Sequence, residues 1–197
     1  MYCIICHRLK FNIICQKCLN SLWHIESKRQ LDNGLKVFSS FAFSELKTLL
    51  HTKDNSIGSR VFKRLGTYGV TRFFDTHKNL LELDRSDVAI VCVRNKHIGL
   101  YSHSAILAHC FKQFRFKVFY NVLITGNNIR FMQLSLQERK RASREFYFVD
   151  SALKGRTSII LVDDVITTGQ TLFEASHIIN SSKIHVLCAW TLCDARF

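Results

Sequence analysis

One stretch of the chain combines groups that can hold a phosphorylated sugar. Ile159-Ile160-Leu161-Val162-Asp163-Asp164-Val165-Ile166-Thr167-Thr168-Gly169-Gln170-Thr171 starts as an apolar strand, ends it in two carboxylates and opens a helix with Thr-Thr-Gly-Gln-Thr. Backbone N–H groups at a helix N-terminus point outward and carry partial positive charge, so they suit an anion. Gly169 lets the backbone come close to a phosphate, and three Thr hydroxyls add donors. The carboxylates would repel that phosphate. They suit sugar hydroxyls, or a Mg²⁺ held with hydroxyls and water. Phosphate at one end and a diol at the other describe a ribose 5-phosphate.

A second constellation is at the N-terminus. Cys3-x-x-Cys6 is followed by Cys15-x-x-Cys18. Two such pairs can offer four thiolates to one tetrahedral Zn²⁺, with His7 to Ile14 folding back as a short hairpin. A closed Cys₄ shell leaves no open position, so this zinc is structural. Two disulfides or redox pairs are the alternatives. Disulfides need an oxidising compartment, and nothing in the sequence indicates secretion. Cys92, Cys110, Cys188 and Cys193 sit in apolar surroundings and read as small core residues.

The elements that must position these groups follow from hydrophobic patterning. Ser21 to Gly34 reads as a polar connector. Lys36 to Phe43 reads as a strand, and Ser44 as the cap of a helix reaching Leu50. Ile57 to Leu65 has helical spacing, with Gly66 closing it. Asp87 to Val93, Lys117 to Thr125, Thr157 to Val162 and Lys183 to Trp190 read as strands. His103 to Phe114 and Gln170 to Ile179 read as helices. Ser135 and Glu138 form a capping-box pair opening a basic helix. Alternating strands and helices imply an α/β fold with a parallel sheet covered on both faces.

Composition bounds the function classes. The 197 residues are 47% hydrophobic and 22% charged, which excludes a solvated coil. Apolar runs stop far short of the roughly 18 residues of a membrane helix. Met1 to Cys6 lacks the basic-then-apolar order of a secretory signal. The formal charge of +13 favours a polyanionic partner, nucleic acid or anionic lipid.

The stretch ending at Thr171 resembles the phosphoribosyl pyrophosphate (PRPP) signature of type I phosphoribosyltransferases. The resemblance implies that Asp163 and Asp164 contact ribose hydroxyls and that Thr167, Thr168, Gly169, Gln170 and Thr171 wrap the 5′-phosphate. The wider chain resembles the ComF competence family, which joins a Cys₄ zinc finger to a phosphoribosyltransferase-like domain. Phe43-Ser44-Glu45-Leu46-Lys47 with Gly58, Tyr101-Ser102-His103-Ser104-Ala105-Ile106-Leu107-Ala108, Leu134-Ser135 and Glu138-Arg139 carry that resemblance. It implies a zinc finger over 1–30 and a phosphoribosyltransferase-like α/β domain over 31–197. It also implies a cytoplasmic protein, at most peripheral to the inner membrane, that handles incoming single-stranded DNA beside other DNA-uptake or recombination proteins.

The chain departs from that family on the pyrophosphate side. Cys92-Val93-Arg94-Asn95-Lys96 stands where the family has Pro-Val-Pro, Gly99-Leu100 replaces an Arg-Gly, and Ala142 stands for an Asn. Arg94, Asn95 and Lys96 are the candidate pyrophosphate loop. No residue stands out as a general acid or base. The alternatives to a competence protein are an active phosphoribosyltransferase and a PRPP-sensing regulator. For DNA, Arg139, Lys140, Arg141 and Arg144 put four cations within two helical turns. Phe111 to Tyr120 interleaves cations with rings, the pattern of single-strand binding by charge and stacking.

Overall fold

The structure is a computed structural model that describes residues 1–93, 101–125 and 146–197. Arg94, Asn95, Lys96, Gly99, Leu100, Leu134, Ser135, Glu138, Arg139, Lys140, Arg141, Ala142 and Arg144 lie outside the described residues. The fold is α/β, built on a mostly parallel sheet flanked by helices and preceded by the four-cysteine cluster.

A short helix, α1 (Gln16–Ser21), follows the cysteines. Strands β1 (His24–Gln30) and β2 (Lys36–Ala42) form an antiparallel hairpin, and β2 joins the parallel part of the sheet. Helices α2 (Phe43–Leu50) and α3 (Ser56–Thr76) precede β3 (Val88–Cys92). Next come α4 (His103–His109), the edge strand β4 (Lys117–Phe119), and β5 (Leu123–Thr125) paired with β6 (Phe146–Phe148). The chain ends with β7 (Ser158–Ile166), α5 (Gln170–Asn180) and β8 (His185–Asp194). The main sheet has the order β1-β2-β8-β7-β3-β4.

Strand alternation divides the core between the two faces. Ile160 and Val162 of β7 join Val88, Ile90 and Cys92 of β3 under α3 and α4. Ile159 and Leu161 join Ala89 and Val91 under α5. The crossovers diverge. From β3 the chain passes through α4 to β4 on one side, and from β7 through α5 to β8 on the other. The topological switch point therefore lies between β3 and β7. In open α/β sheets ligands bind in the crevice beyond the carboxyl ends of strands at such a point.

Several element boundaries differ from expectation. The expected connector contains β1, whose inward positions are polar, so its alternation carries no hydrophobic signal. Helix α3 runs through Gly66 because glycine there serves packing. A Cβ on Gly66 would sit 2.8 Å from Leu107 Cδ2, and one on Gly69 2.9 Å from Ser40 Oγ. Helix α2 begins at Phe43 with Ala42 before it, so Ser44 is not its cap. The stretch Lys117 to Thr125 is two short strands in different sheets. Strand β7 continues past Val162 through both acids to Ile166, and β8 runs to Asp194. Phe111 and Phe116 are buried, so the ring-and-cation stretch is in part core.

Candidate functional site

The acidic pair projects from the last part of β7. Asp163 pairs with Thr191 of β8, Val165 with Cys193 and Ile166 with Asp194. Asp163 and Asp164 are half-buried. Asp163 Oδ1 accepts from the Asp164 N–H at 2.9 Å, and Asp164 Oδ1 from the Val165 N–H at 2.8 Å. Asp194 ends the neighbouring strand with its side chain fully buried, 2.6 Å from Arg196. Burial pushes the Asp194 carboxyl up, but hydrogen bonds from Arg196 and Ser27 outweigh it and hold the group below its ordinary range. Burial pushes the Cys193 thiol well above its ordinary value, reinforced by Asp164, Asp194 and Asp163. The carboxyl end of β7 thus carries two partly exposed carboxylates beside the buried Asp194 and its partner Arg196.

The loop after β7 turns sharply into α5. Gly169 has φ +86°, a left-handed conformation that favours glycine. A Cβ there would lie 2.6 Å from Leu31 Cδ2. The space beside Gly169 is filled by Leu31, so packing as well as backbone conformation demands this glycine. The Gly169 carbonyl accepts the Phe173 N–H at 2.9 Å, and Thr168 Oγ1 accepts the Gln170 N–H at 3.3 Å. Gln170 Nε2 donates to Glu174 Oε1 at 2.7 Å, which turns that side chain along the helix. Thr167 is exposed, and Thr168 and Thr171 are half-exposed. The first N–H groups of a helix have no intrahelical acceptor, so this end offers donors to an anion. The structure places Asp163, Asp164, Thr167, Thr168, Gly169, Gln170 and Thr171 at the carboxyl end of the central strand β7 and the start of α5.

Sequence reasoning missed Arg29. Its guanidinium donates to the Thr167 carbonyl at 2.5 Å and to the Thr168 carbonyl at 3.0 Å. Asn33 Nδ2 donates to Ser176 Oγ at 2.8 Å, tying the same hairpin to α5. Only a period-two pattern among polar residues, with Ser27 and Arg29 inward and Glu26, Lys28 and Gln30 outward, could have signalled this.

The cysteine cluster is the second site. The four sulfurs of Cys3, Cys6, Cys15 and Cys18 lie within 4.8 Å of one another, with Cys6 Sγ and Cys15 Sγ 3.9 Å apart. Zn–S bonds of about 2.3 Å at tetrahedral angles require sulfurs about 3.8 Å apart, so these residues fit the ion. The chain doubles back through a bridge between Tyr2 and Leu9, so the turn closes around the first cysteine pair rather than within the expected His7 to Ile14 hairpin. Burial acts to raise the Cys3 thiol, but backbone N–H groups of Cys6, Cys15 and Ile5 outweigh it and lower it to about 6. Cys15 is lowered mainly by the Cys18 backbone. Burial first, and then the neighbouring sulfurs, push Cys18 up to about 12, so this thiol resists ionising beside the other three. A cation in the middle removes that conflict. Cys3, Ile14, Cys15, Cys18 and Leu19 belong to the same core as α3. Arg64 of α3 donates to the Ile14 carbonyl at 3.2 Å and to Gln16 Oε1 at 2.8 Å.

Another described surface is basic. Lys112, Arg115, Lys117 and Lys154 line an open groove of about 480 Å³ with Phe116, Val118 and Phe119, along the β4 edge. Arg156 stands 5.0 Å from the centre of the Phe119 ring. No helix among the described residues is long and apolar enough to cross a membrane.

No family model matches the chain, and no curated protein matches it. Among solved structures, it is similar to the orotate phosphoribosyltransferase from Aeropyrum pernix, with TM-score 0.36 and 15% identity over 90% of this chain and 78% of that one. It is also similar to the Mycobacterium tuberculosis H37Rv orotate phosphoribosyltransferase in complex with Fe(III) dicitrate, with TM-score 0.35 and 15% identity over 90% of this chain and 81% of that one. The site stands on this chain's own residues.

Proposed function

We propose that the chain binds a phosphoribosyl ligand, PRPP or ribose 5-phosphate, at the carboxyl end of β7. One observation carries this reading: two carboxylates followed within a few residues by a left-handed glycine and a helix N-terminus, all beside the topological switch point. In it, the N–H groups and hydroxyls of Thr167, Thr168, Gly169, Gln170 and Thr171 hold the 5′-phosphate. Asp163 and Asp164 accept hydrogen bonds from the ribose hydroxyls. With PRPP those acids help hold Mg²⁺, which neutralises pyrophosphate charge. Arg94, Asn95 and Lys96 come directly after β3 in the sequence and are the candidates to meet the pyrophosphate.

The finer reading is a cytoplasmic competence protein that also binds single-stranded DNA, working with other DNA-uptake or recombination proteins. The formal charge of +13 and the groove of Lys112, Arg115, Lys117 and Lys154 support a polyanion partner. Arg139, Lys140, Arg141 and Arg144 are the sequence's own candidates for that contact. An active phosphoribosyltransferase and a PRPP-sensing regulator would use the same loop.

A pyrophosphate-release assay with PRPP and Mg²⁺, run with and without single-stranded DNA and candidate bases, separates these readings. Release with a base assigns a transferase. DNA binding without release, weakening with salt at a log–log slope of about −0.7 per phosphate neutralised, supports the competence reading. No DNA binding at low salt removes it.

A further inference from the structure

We propose that Arg29 is a positioning residue for the phosphate loop: the hairpin β1–β2 delivers a guanidinium that sets two successive peptide planes of the cradle. The proposal rests on the phosphoribosyl reading.

In a trans peptide the C=O of one residue and the N–H of the next point in opposite directions, and the chain has no cis peptide bonds among the described residues. Arg29 draws the Thr167 and Thr168 carbonyls toward one guanidinium. The N–H groups of Thr168 and Gly169 must then point away from Arg29. With Gly169 left-handed, successive N–H groups aimed to one side form the concave nest that binds anions. Turned the other way, these peptides would face a phosphate with carbonyl oxygens and repel it.

The hairpin approaches the loop at alternate residues, the period of a strand and its extension. Arg29 holds Thr167 and Thr168, Leu31 fills the space beside Gly169, and Asn33 donates to Ser176 of α5. The turn that carries them is closed by Leu31 N–H to Leu35 O at 2.9 Å and Gly34 N–H to Leu31 O at 2.8 Å. Only a planar fork can reach two carbonyls at once with fixed geometry. An ammonium has the same charge but no fork.

The test is calorimetric titration of the full-length, zinc-loaded protein with ribose 5-phosphate, for the wild type, Arg29→Ala and Arg29→Lys, with thermal midpoints measured in parallel. Wild-type binding is expected. Arg29→Ala should weaken it roughly 10- to 100-fold, as expected from losing two charged hydrogen bonds that hold the loop. Arg29→Lys should keep the fold and still lose about 3- to 10-fold. Added methylguanidinium should restore affinity to Arg29→Ala and leave Arg29→Lys unchanged. If the wild type binds and Arg29→Lys binds equally well, Arg29 acts by charge alone and the proposal fails. It also fails if a folded Arg29→Ala binds as the wild type does. If the wild type does not bind, the phosphoribosyl reading fails and takes this proposal with it. Should Arg29→Ala not fold, the Arg29→Lys result decides.

Discussion

Replacing Gly169 by Ala tests whether the loop is set by backbone conformation and by Leu31 together. Gly169 sits at φ +86°, where an L-residue pays roughly 1–2 kcal/mol. The new methyl would also meet Leu31 Cδ2 at 2.6 Å. Leu31 is only 8% exposed and packed in the core under α5, so it moves only at an overpacking cost of roughly 1–3 kcal/mol. The two effects together predict a loss of about 2–5 kcal/mol in urea unfolding. Leu31→Val removes the offending carbon with little loss of core volume. Gly169→Ala made on Leu31→Val should therefore cost only the conformational part, about 1–2 kcal/mol. The double-mutant cycle should show a coupling of roughly 1–3 kcal/mol that favours the pair. Ribose 5-phosphate affinity should stay low in both Ala variants, because the strain displaces the Gly169 N–H. Full additivity would refute the contact, and a Gly169→Ala protein of unchanged stability and affinity would refute the reasoning as a whole.

Three further expectations follow from named residues. Elemental analysis should find one zinc per chain, and Cys6→Ser should lower the thermal midpoint, because metal binding and local folding are one equilibrium; zinc-free protein of unchanged midpoint would contradict this. Asp163→Asn with Asp164→Asn should weaken PRPP in Mg²⁺ more than it weakens inorganic phosphate, read by calorimetry; equal losses would mean that the acids only hold the loop. His24 has both ring nitrogens buried with no hydrogen-bond partner among the described residues, and burial, helped by Arg72 and opposed by Glu26, lowers its affinity for a proton. The unfolded chain then takes the proton first, so stability is full above about pH 6.5 and falls as pH drops through that value. Thermal midpoints at pH 7.5 and 5 should show a smaller acid loss in His24→Phe than in the wild type, and an identical loss would refute the assignment.

The parts of the fold that were legible in the sequence are those with hydrophobic periodicity. Strands β3 and β7 are continuous apolar runs because both faces are covered, and the β7–α5 segment announces its own turn through Gly169. The cysteine spacing was equally readable, since four sulfurs around one ion need little else. Strand β1 was not legible. Its inward side carries Ser27 and Arg29, whose partners are Asp194 and two loop carbonyls far along the chain. A polar strand satisfied by distant polar groups looks like a connector. Gly66 misled for the converse reason, because a glycine chosen for close packing reads locally as a stop. Arg29 itself bears no local mark, since its role exists only once the hairpin lies beside the loop.

Phosphoribosyl binding at the carboxyl end of β7 is read out residue by residue when the backbone amides of the ¹⁵N-labelled protein are followed while ribose 5-phosphate is added. One saturable site is expected, with the largest shifts at the amides of Thr168, Gly169 and Thr171, smaller ones at Asp163 and Asp164, and displacement by PRPP. Saturable shifts confined to another surface, or none at millimolar ligand, would contradict it.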